Sequence, residues 1–149
     1  MARPQGALPA EFAEIAPDSW TEPFWLATRE HRLIVPRCTH CGTFRFPPGP
    51  FCPQCQHQDV DHVSVAGTGT VYTYTVARHA VVPALAGSVP YAVVVVELDG
   101  APGVRMIANI VDSDPEQVCI GSRVEVVWDD IDPDITIPRF RLAETQPPA

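Results

Sequence analysis

From Val60 onward the chain is a succession of short apolar runs, rich in β-branched residues and separated by turn residues. DHVSVAG, TVYTYTVARHAV, YAVVVVELDG, VRMIANIVD, RVEVVWDD and DITIPRF are the six strand candidates. The first is either a strand of its own or the lead into the second. In the second, Val71, Thr73, Thr75 and Ala77 alternate with Tyr72, Tyr74, Val76 and Arg78, the period of a half-buried strand. That period puts Tyr72 and Tyr74 on one face, where packing into a barrel is expected. Gly67 and Gly69 bracket a bend, and Asp99-Gly100 marks a hairpin. Within DSDPEQVCIG, Asp114 as cap, Pro115 at an early position and Gly121 as stop predict a helical turn. About five strands with a helical insert before the last pair suit a small closed Greek-key barrel of the oligonucleotide/oligosaccharide-binding (OB) type.

Before Val60 the period changes. TEPFWLATREHRL spaces Phe24, Trp25, Thr28, Arg32 and Leu33 as a short helix does, with Asp18-Ser19 as the cap and Glu22 and Pro23 in the first turn. Phe24 and Trp25 read as anchors onto the body of the protein; exposed, they would mark a partner surface. Residues 1–17, rich in Pro and Ala, read as a loose lead. LIVPRC is a strand candidate, FRF a return strand, and Pro47-Pro48-Gly49-Pro50 a rigid connection.

Chemistry enters with CTHCGTFRFPPGPFCPQC, two Cys-x-x-Cys pairs separated by ten residues. Each pair presents two thiolates from one tight turn, so Cys38, Cys41, Cys52 and Cys55 match a closed tetrahedral zinc site. Gly42 supplies the residue free to turn sharply after the first pair, whereas Gln56 holds the matching place after the second. His40 and His57 are alternative ligands, but four cysteines already fill the site. Iron and zinc are not distinguished by a set of four cysteines. A pair of disulfides would need an oxidising compartment. A module of this size has no core of its own and depends on its metal.

The fifth cysteine, Cys119, sits between Val118 and Ile120 with three acids just upstream. Acidic neighbours raise a thiol pKa, so Cys119 reads as buried packing and not as a nucleophile. Asp129, Asp130, Asp132 and Asp134 lack the spacing of a calcium loop and read as a solvated hairpin tip.

Composition narrows the function classes. The 149 residues fit one domain or a small module attached to a modest one. An apolar content of 46% permits a real core, and 17 prolines imply many turns. There is no apolar run long enough to span a bilayer, and the first residues lack the pattern of a secretory signal, so a cytoplasmic location is expected. Net charge is −8; residues 1–57 balance, and residues 58–149 carry the whole excess. The chain has no lysine, which excludes a Schiff base. The acidic second half disfavours nucleic-acid binding, the runner-up function for a zinc-ribbon/OB architecture. No Gly-x-Ser-x-Gly, phosphate loop or His-Glu-x-x-His is present.

Taken together, the Phe24-Trp25 helix, RCTHCGTFRFPPGPFCPQC, GTGTVYTYTV, YAVVVVELDG, NIVDSDPEQVCIGSRVEVVW and the ending IPRF resemble one family over about residues 20–141. The chain is similar to the zinc-ribbon/OB-fold proteins that accompany thiolase-type acyl-CoA enzymes. The resemblance implies a mainly β protein: an N-terminal tail and helix at 1–33, a rubredoxin-like zinc ribbon at 34–59, an OB-fold β-barrel at 60–142 and a tail at 143–149. It implies a non-catalytic subunit with structural Zn2+. The partner would be a thiolase, a hydroxymethylglutaryl-CoA synthase-like enzyme or a steroid side-chain aldolase, in a hetero-oligomer without nucleic acid or membrane. Acyl-CoA would be held or passed between active sites. Candidates for the acyl-CoA or partner surface are Phe24, Trp25, Arg78, His79, Val82, Leu85 and Arg105. The apolar stretch AVVPALAGSVP after His79 suits a pantetheine arm, a partner or no ligand at all. Arg78 and Arg105 suit either CoA phosphates or structural ion pairs.

Overall fold

Seven strands and one short helix carry the fold of the computed structural model, which describes residues 2–144. Residues 145–149, most of the expected C-terminal tail, lie outside the described residues. Strands β3 (Thr68–Ala77), β4 (Tyr91–Leu98), β5 (Arg105–Asn109), β6 (Arg123–Asp132) and β7 (Ile135–Leu142) form one antiparallel sheet in the order β5-β4-β3-β6-β7. Alternation along β4 sends Ala92, Val94, Val96 and Leu98 inward. The helical turn is a 3-10 turn at Pro115–Gln117, where the Asp114 carboxylate accepts from the Glu116 amide. This is OB topology, but the strand ladder does not close. Its edges meet at one parallel bridge, Ile110 with Phe140, where the Val111 amide donates to Phe140 O at 2.8 Å.

Strand β3 departs from simple alternation. A bulge between Val71 and Thr73 shifts the register, so that Thr73 faces Val95 and Tyr74 faces Val94. Tyr72 and Tyr74 therefore leave the common face that strict alternation predicts. Both are exposed rather than packed into the barrel. The Arg105 guanidinium lies 3.5 Å from the Tyr72 ring centroid. The bend ahead of the bulge needs its glycines: a Cβ on Gly69 would stand 2.5 Å from Glu97 O, and Gly67 has φ +78°.

The first half differs from expectation in three places. Strand β2 (Val60–Val65) does not run on into the barrel sheet but pairs antiparallel with β1 (Leu33–Cys38). FRF is not a strand; only Phe44 bridges, to Arg37. The helix α1 (Glu22–Arg29) stops before Arg32 and Leu33, because His31 turns left-handed with φ 54° and Leu33 opens β1. Asp18 caps the turn entering α1, accepting from the Trp20 and Thr21 amides at 3.0 and 2.8 Å. Phe24 and Ala27 of α1, with Leu33, Ile34 and Val35 of β1, share one hydrophobic cluster with Val71, Val94, Val96 and Phe140. Ribbon and barrel thus have a common core. Each fully buried large apolar side chain there contributes about 1.5–3 kcal/mol.

Within the expected loose lead, residues 3–8 are bound to the body of the protein. Arg3 reaches Asp129 through Nε and Nη2, both at 2.8 Å, and Asp112 N donates to Gln5 O at 2.8 Å. The acid run is not uniformly solvated. Asp129 is fully buried although alternation in β6 sets it opposite the core-facing Val124, Val126 and Trp128; Arg3 and Arg139, the latter at 3.1 Å, contact it there. Burial lowers the Arg139 pKa while Asp129 opposes that shift. Asp130 is held by His31 Nε2 at 2.9 Å and by the Thr136 hydroxyl, which lower its pKa. Asp132 turns the β6–β7 hairpin, accepting from the Asp134 and Ile135 amides.

The β4–β5 turn is tied to two other strands by Asp99, which accepts from Thr68 Oγ1 at 2.6 Å and from Arg123. Arg123 first, then Thr68, pulls the Asp99 carboxyl down to about 2. A depressed carboxyl stabilises the fold above its unfolded pKa of about 4 and loses that contribution as pH falls through about 2. The Asp99 side chain is 43% exposed, so solvent screening keeps the contribution to about 1 kcal/mol or less. Thermal melts at pH 5 and pH 2.5 are expected to show a smaller acid-induced drop for Asp99→Asn than for the unmodified chain.

Candidate functional site

Two similar knuckles bring four sulfurs together. Cys38 closes β1; its amide donates to Thr43 O at 2.9 Å, and Gly42 N returns to Cys38 O at 2.9 Å. In the second knuckle Cys52 N donates to His57 O at 2.8 Å and Gln56 N to Cys52 O at 3.0 Å. Gly42 and Gln56 are both left-handed, with φ 75° and 64°. Gln56 therefore adopts the conformation its position demands, at a cost glycine would avoid. Arg45 is buried behind the ribbon and donates to the carbonyls of His57 and Gln58, fixing the exit of the second knuckle.

The Sγ atoms of Cys38, Cys41, Cys52 and Cys55 all lie within 4.8 Å of one another. Cys38 and Cys55 are 3.6 Å apart, and Cys41 and Cys52 3.5 Å. A disulfide needs about 2.05 Å. The edge of a tetrahedron of sulfurs around zinc is about 3.8 Å, from a Zn–S distance near 2.3 Å. Charge gives a second test of fit. Thr43, through its hydroxyl and then its amide, draws the Cys41 thiol down to about 6. At Cys55 the His57 amide pulls downward, but burial and the crowding sulfurs outweigh it and push the thiol up to about 12. Four sulfurs this close ionise together only around a cation. The donor set fits structural Zn2+, and all four positions are protein sulfur. His40 and His57 stack on each other at 4.2 Å instead of joining the cluster.

The remaining candidates are scattered. Phe24 is buried against Trp25 and Phe46, with centroids 5.0 and 5.5 Å away, and so anchors α1. Trp25 is half-buried and lines a shallow groove of about 210 Å³ with Ile15, Pro17, Leu26 and Ile135. Arg78 is paired with Glu116, and Arg105 with Glu97 at 3.7 Å. His79 and Val82 are exposed, whereas Leu85 is buried and pins the loop that carries them. Cys119 is exposed, contrary to expectation: Val118 takes the inward place, leaving Cys119 and Ile120 outside. Leu26, Ile107 and Ile120 are exposed apolar residues that sequence patterning did not single out. The inward setting of their neighbours Ala27, Met106 and Val118 is the signal that would have found them.

The electrostatics are self-contained. Every arginine except Arg45 has a carboxylate within 4.0 Å. The excess charge is therefore unpaired acid, not a basic stripe for a phosphate backbone. Among the described residues no hydrogen bond joins Cys119 Sγ to a histidine or carboxylate, so Cys119 has no general base beside it.

Two outcomes are expected for the ribbon. Elemental analysis should give one zinc per chain, with Cys38→Ser or Cys52→Ser losing it and deprotecting the β1–β2 amides before those of β4. Gln56→Gly should raise the thermal midpoint of the zinc-loaded protein, by about 0.5–1 kcal/mol of stability, because it removes left-handed strain.

Comparison with known proteins places these features. Residues 25–61 match the family model described as ChsH2, rubredoxin-like zinc ribbon domain, and residues 62–129 match ChsH2, C-terminal OB-fold domain. A probable enoyl-CoA hydratase alpha subunit of Thermomonospora curvata is 44% identical over 124 residues, 83% of this chain but 38% of that protein. A DUF35 domain-containing scaffold protein of Methanocaldococcus jannaschii is 38% identical over 97 residues, 64% of this chain and 67% of that protein. Among solved structures, a chain of the Ltp2-ChsH2(DUF35) aldolase superposes with a TM-score of 0.76 at 40% identity. That match covers 87% of this chain and 98% of that one. The chain spans well under half the length of the hydratase subunit it matches, so the likeness there is to one region. Fold, cysteine set and sequence agree: the chain belongs to the ChsH2/DUF35 family of zinc-ribbon/OB-fold proteins.

Proposed function

We propose that this chain is a non-catalytic accessory subunit of an acyl-CoA enzyme, and that its partner is a thiolase-superfamily enzyme such as a steroid side-chain aldolase. One observation carries the reading: at 40% identity the chain accounts for 98% of the ChsH2(DUF35) chain of an aldolase assembly. The name scaffold protein for the Methanocaldococcus relative supports an accessory role. In this reading Cys38, Cys41, Cys52 and Cys55 hold zinc that cross-links the knuckles and takes no part in chemistry.

The residues of this chain bind and position. Zinc and the shared core hold α1 and the ribbon rigidly against the barrel, giving a preformed docking body. The loop after β3 offers its own apolar surface, with Val81 78% exposed and Val82 39%, while Leu85 anchors it. This loop would line the entrance used by the pantetheine arm of acyl-CoA. Arg78 and Arg105 are neutralised within the chain, so apolar contact by the loop is favoured over phosphate binding by these arginines.

Co-expression with a thiolase-like enzyme should give a stable hetero-oligomer whose activity depends on this chain. Within that complex, Val82→Asp should raise the KM for acyl-CoA several-fold, leaving kcat and the thermal midpoint near the unmodified values. Full activity of the enzyme alone would overturn the accessory role.

A further inference from the structure

We infer that residues 3–8 form a strap that closes the barrel seam between β5 and β7, with the buried Asp129 carboxylate as its catch. The ladder is joined there by a single parallel bridge, so strand pairing alone leaves the seam thin. The strap adds bonds on the β5 side, and through Arg3 it reaches Asp129 of β6, the strand paired with β7. Gln5 N donates to Asp112 Oδ1 at 2.6 Å, Asp112 N to Gln5 O at 2.8 Å, and Asn109 Nδ2 to Gly6 O at 3.3 Å. These bonds fall at the end of β5 and on the residues that follow it, beside the Val111–Phe140 hydrogen bond.

The catch is specific because Asp129 has no contact with water. Among the described residues its Oδ1 accepts only from Arg3 Nε, and its Oδ2 accepts from Arg3 Nη2 and from Arg139. Departure of Arg3 would leave one oxygen of a buried carboxylate without a donor, which low-dielectric surroundings penalise heavily. Arg139 remains committed to Oδ2 and to Asn109 Oδ1 and spans both sides of the seam. Arg3 also donates to Leu8 O at 2.7 Å, folding the strap on itself. The docked strap forms one wall of a cleft bounded by residues 5–7, 87–90 and 112–115. Release of the strap opens that cleft together with the seam.

Amide hydrogen exchange on the full-length chain tests this. Arg3→Gln removes a two-bond charged contact and is expected to speed exchange of the Val111 and Asp112 amides roughly ten- to hundredfold. Amides of β4, one strand in from the seam, should keep their protection. Arg3→Lys retains the charge without the two-pronged geometry and should fall between the two. Unmodified protection at Val111 and Asp112 in Arg3→Gln would overturn the strap. A uniform rise that included β4 would also overturn it, by making the contact a general stabiliser.

Discussion

The pairing of β1 with β2 is the constraint on which the rest depends. One end of this ribbon is tied by four sulfurs: Cys38 closes β1, and the chain leaves Cys55 to enter β2 at Val60. The other end is built into the barrel, since Leu33, Ile34 and Val35 belong to the barrel's hydrophobic cluster. Only Ala66 and Gly67 separate β2 from β3. A metal site at the periphery is thereby coupled to a core it does not touch. The zinc limits the freedom of the knuckles, and packing carries that order through α1 and β1 into the sheet.

Polar contacts complete what apolar packing leaves open. The OB ladder is nearly closed, and ionic contacts bind its turns: Asp99 links the β4–β5 turn to β3 and β6, and Asp129 receives arginines from the first residues and from β7. Nearly all the cationic charge is consumed in such pairs. That leaves a negative exterior interrupted by apolar patches at Leu26, Ile107, Ile120 and Val81. Such a surface suits a protein partner more than a phosphate backbone.

Much of this was legible in order along the chain. Cys-x-x-Cys spacing fixes local geometry by itself, because each knuckle closes its own hydrogen bonds within a few residues. The runs from Thr68 to Leu142 declare strands because β-branched alternation is a local signal. The family resemblance read from the ribbon and strand motifs agrees with the ChsH2 models. The errors lay where distant residues decide. A bulge in β3 sent Tyr72 and Tyr74 to different faces. FRF lacked a long partner and made one bridge. Cys119 lost the inward place to Val118.

The sequence alone determined the sulfur cluster, the strand-rich second half, the turn at Asp114-Pro115 and the sign of the surface, all properties of neighbouring residues or of composition. Tertiary structure decided that β2 joins the ribbon, that Asp129 is buried and that the first residues are bound to the barrel. The physical reason is separation: Arg3 and Asp129 stand 126 residues apart. Nothing in the local pattern around either shows that a carboxylate buried on β6 will need a donor from the other end of the chain.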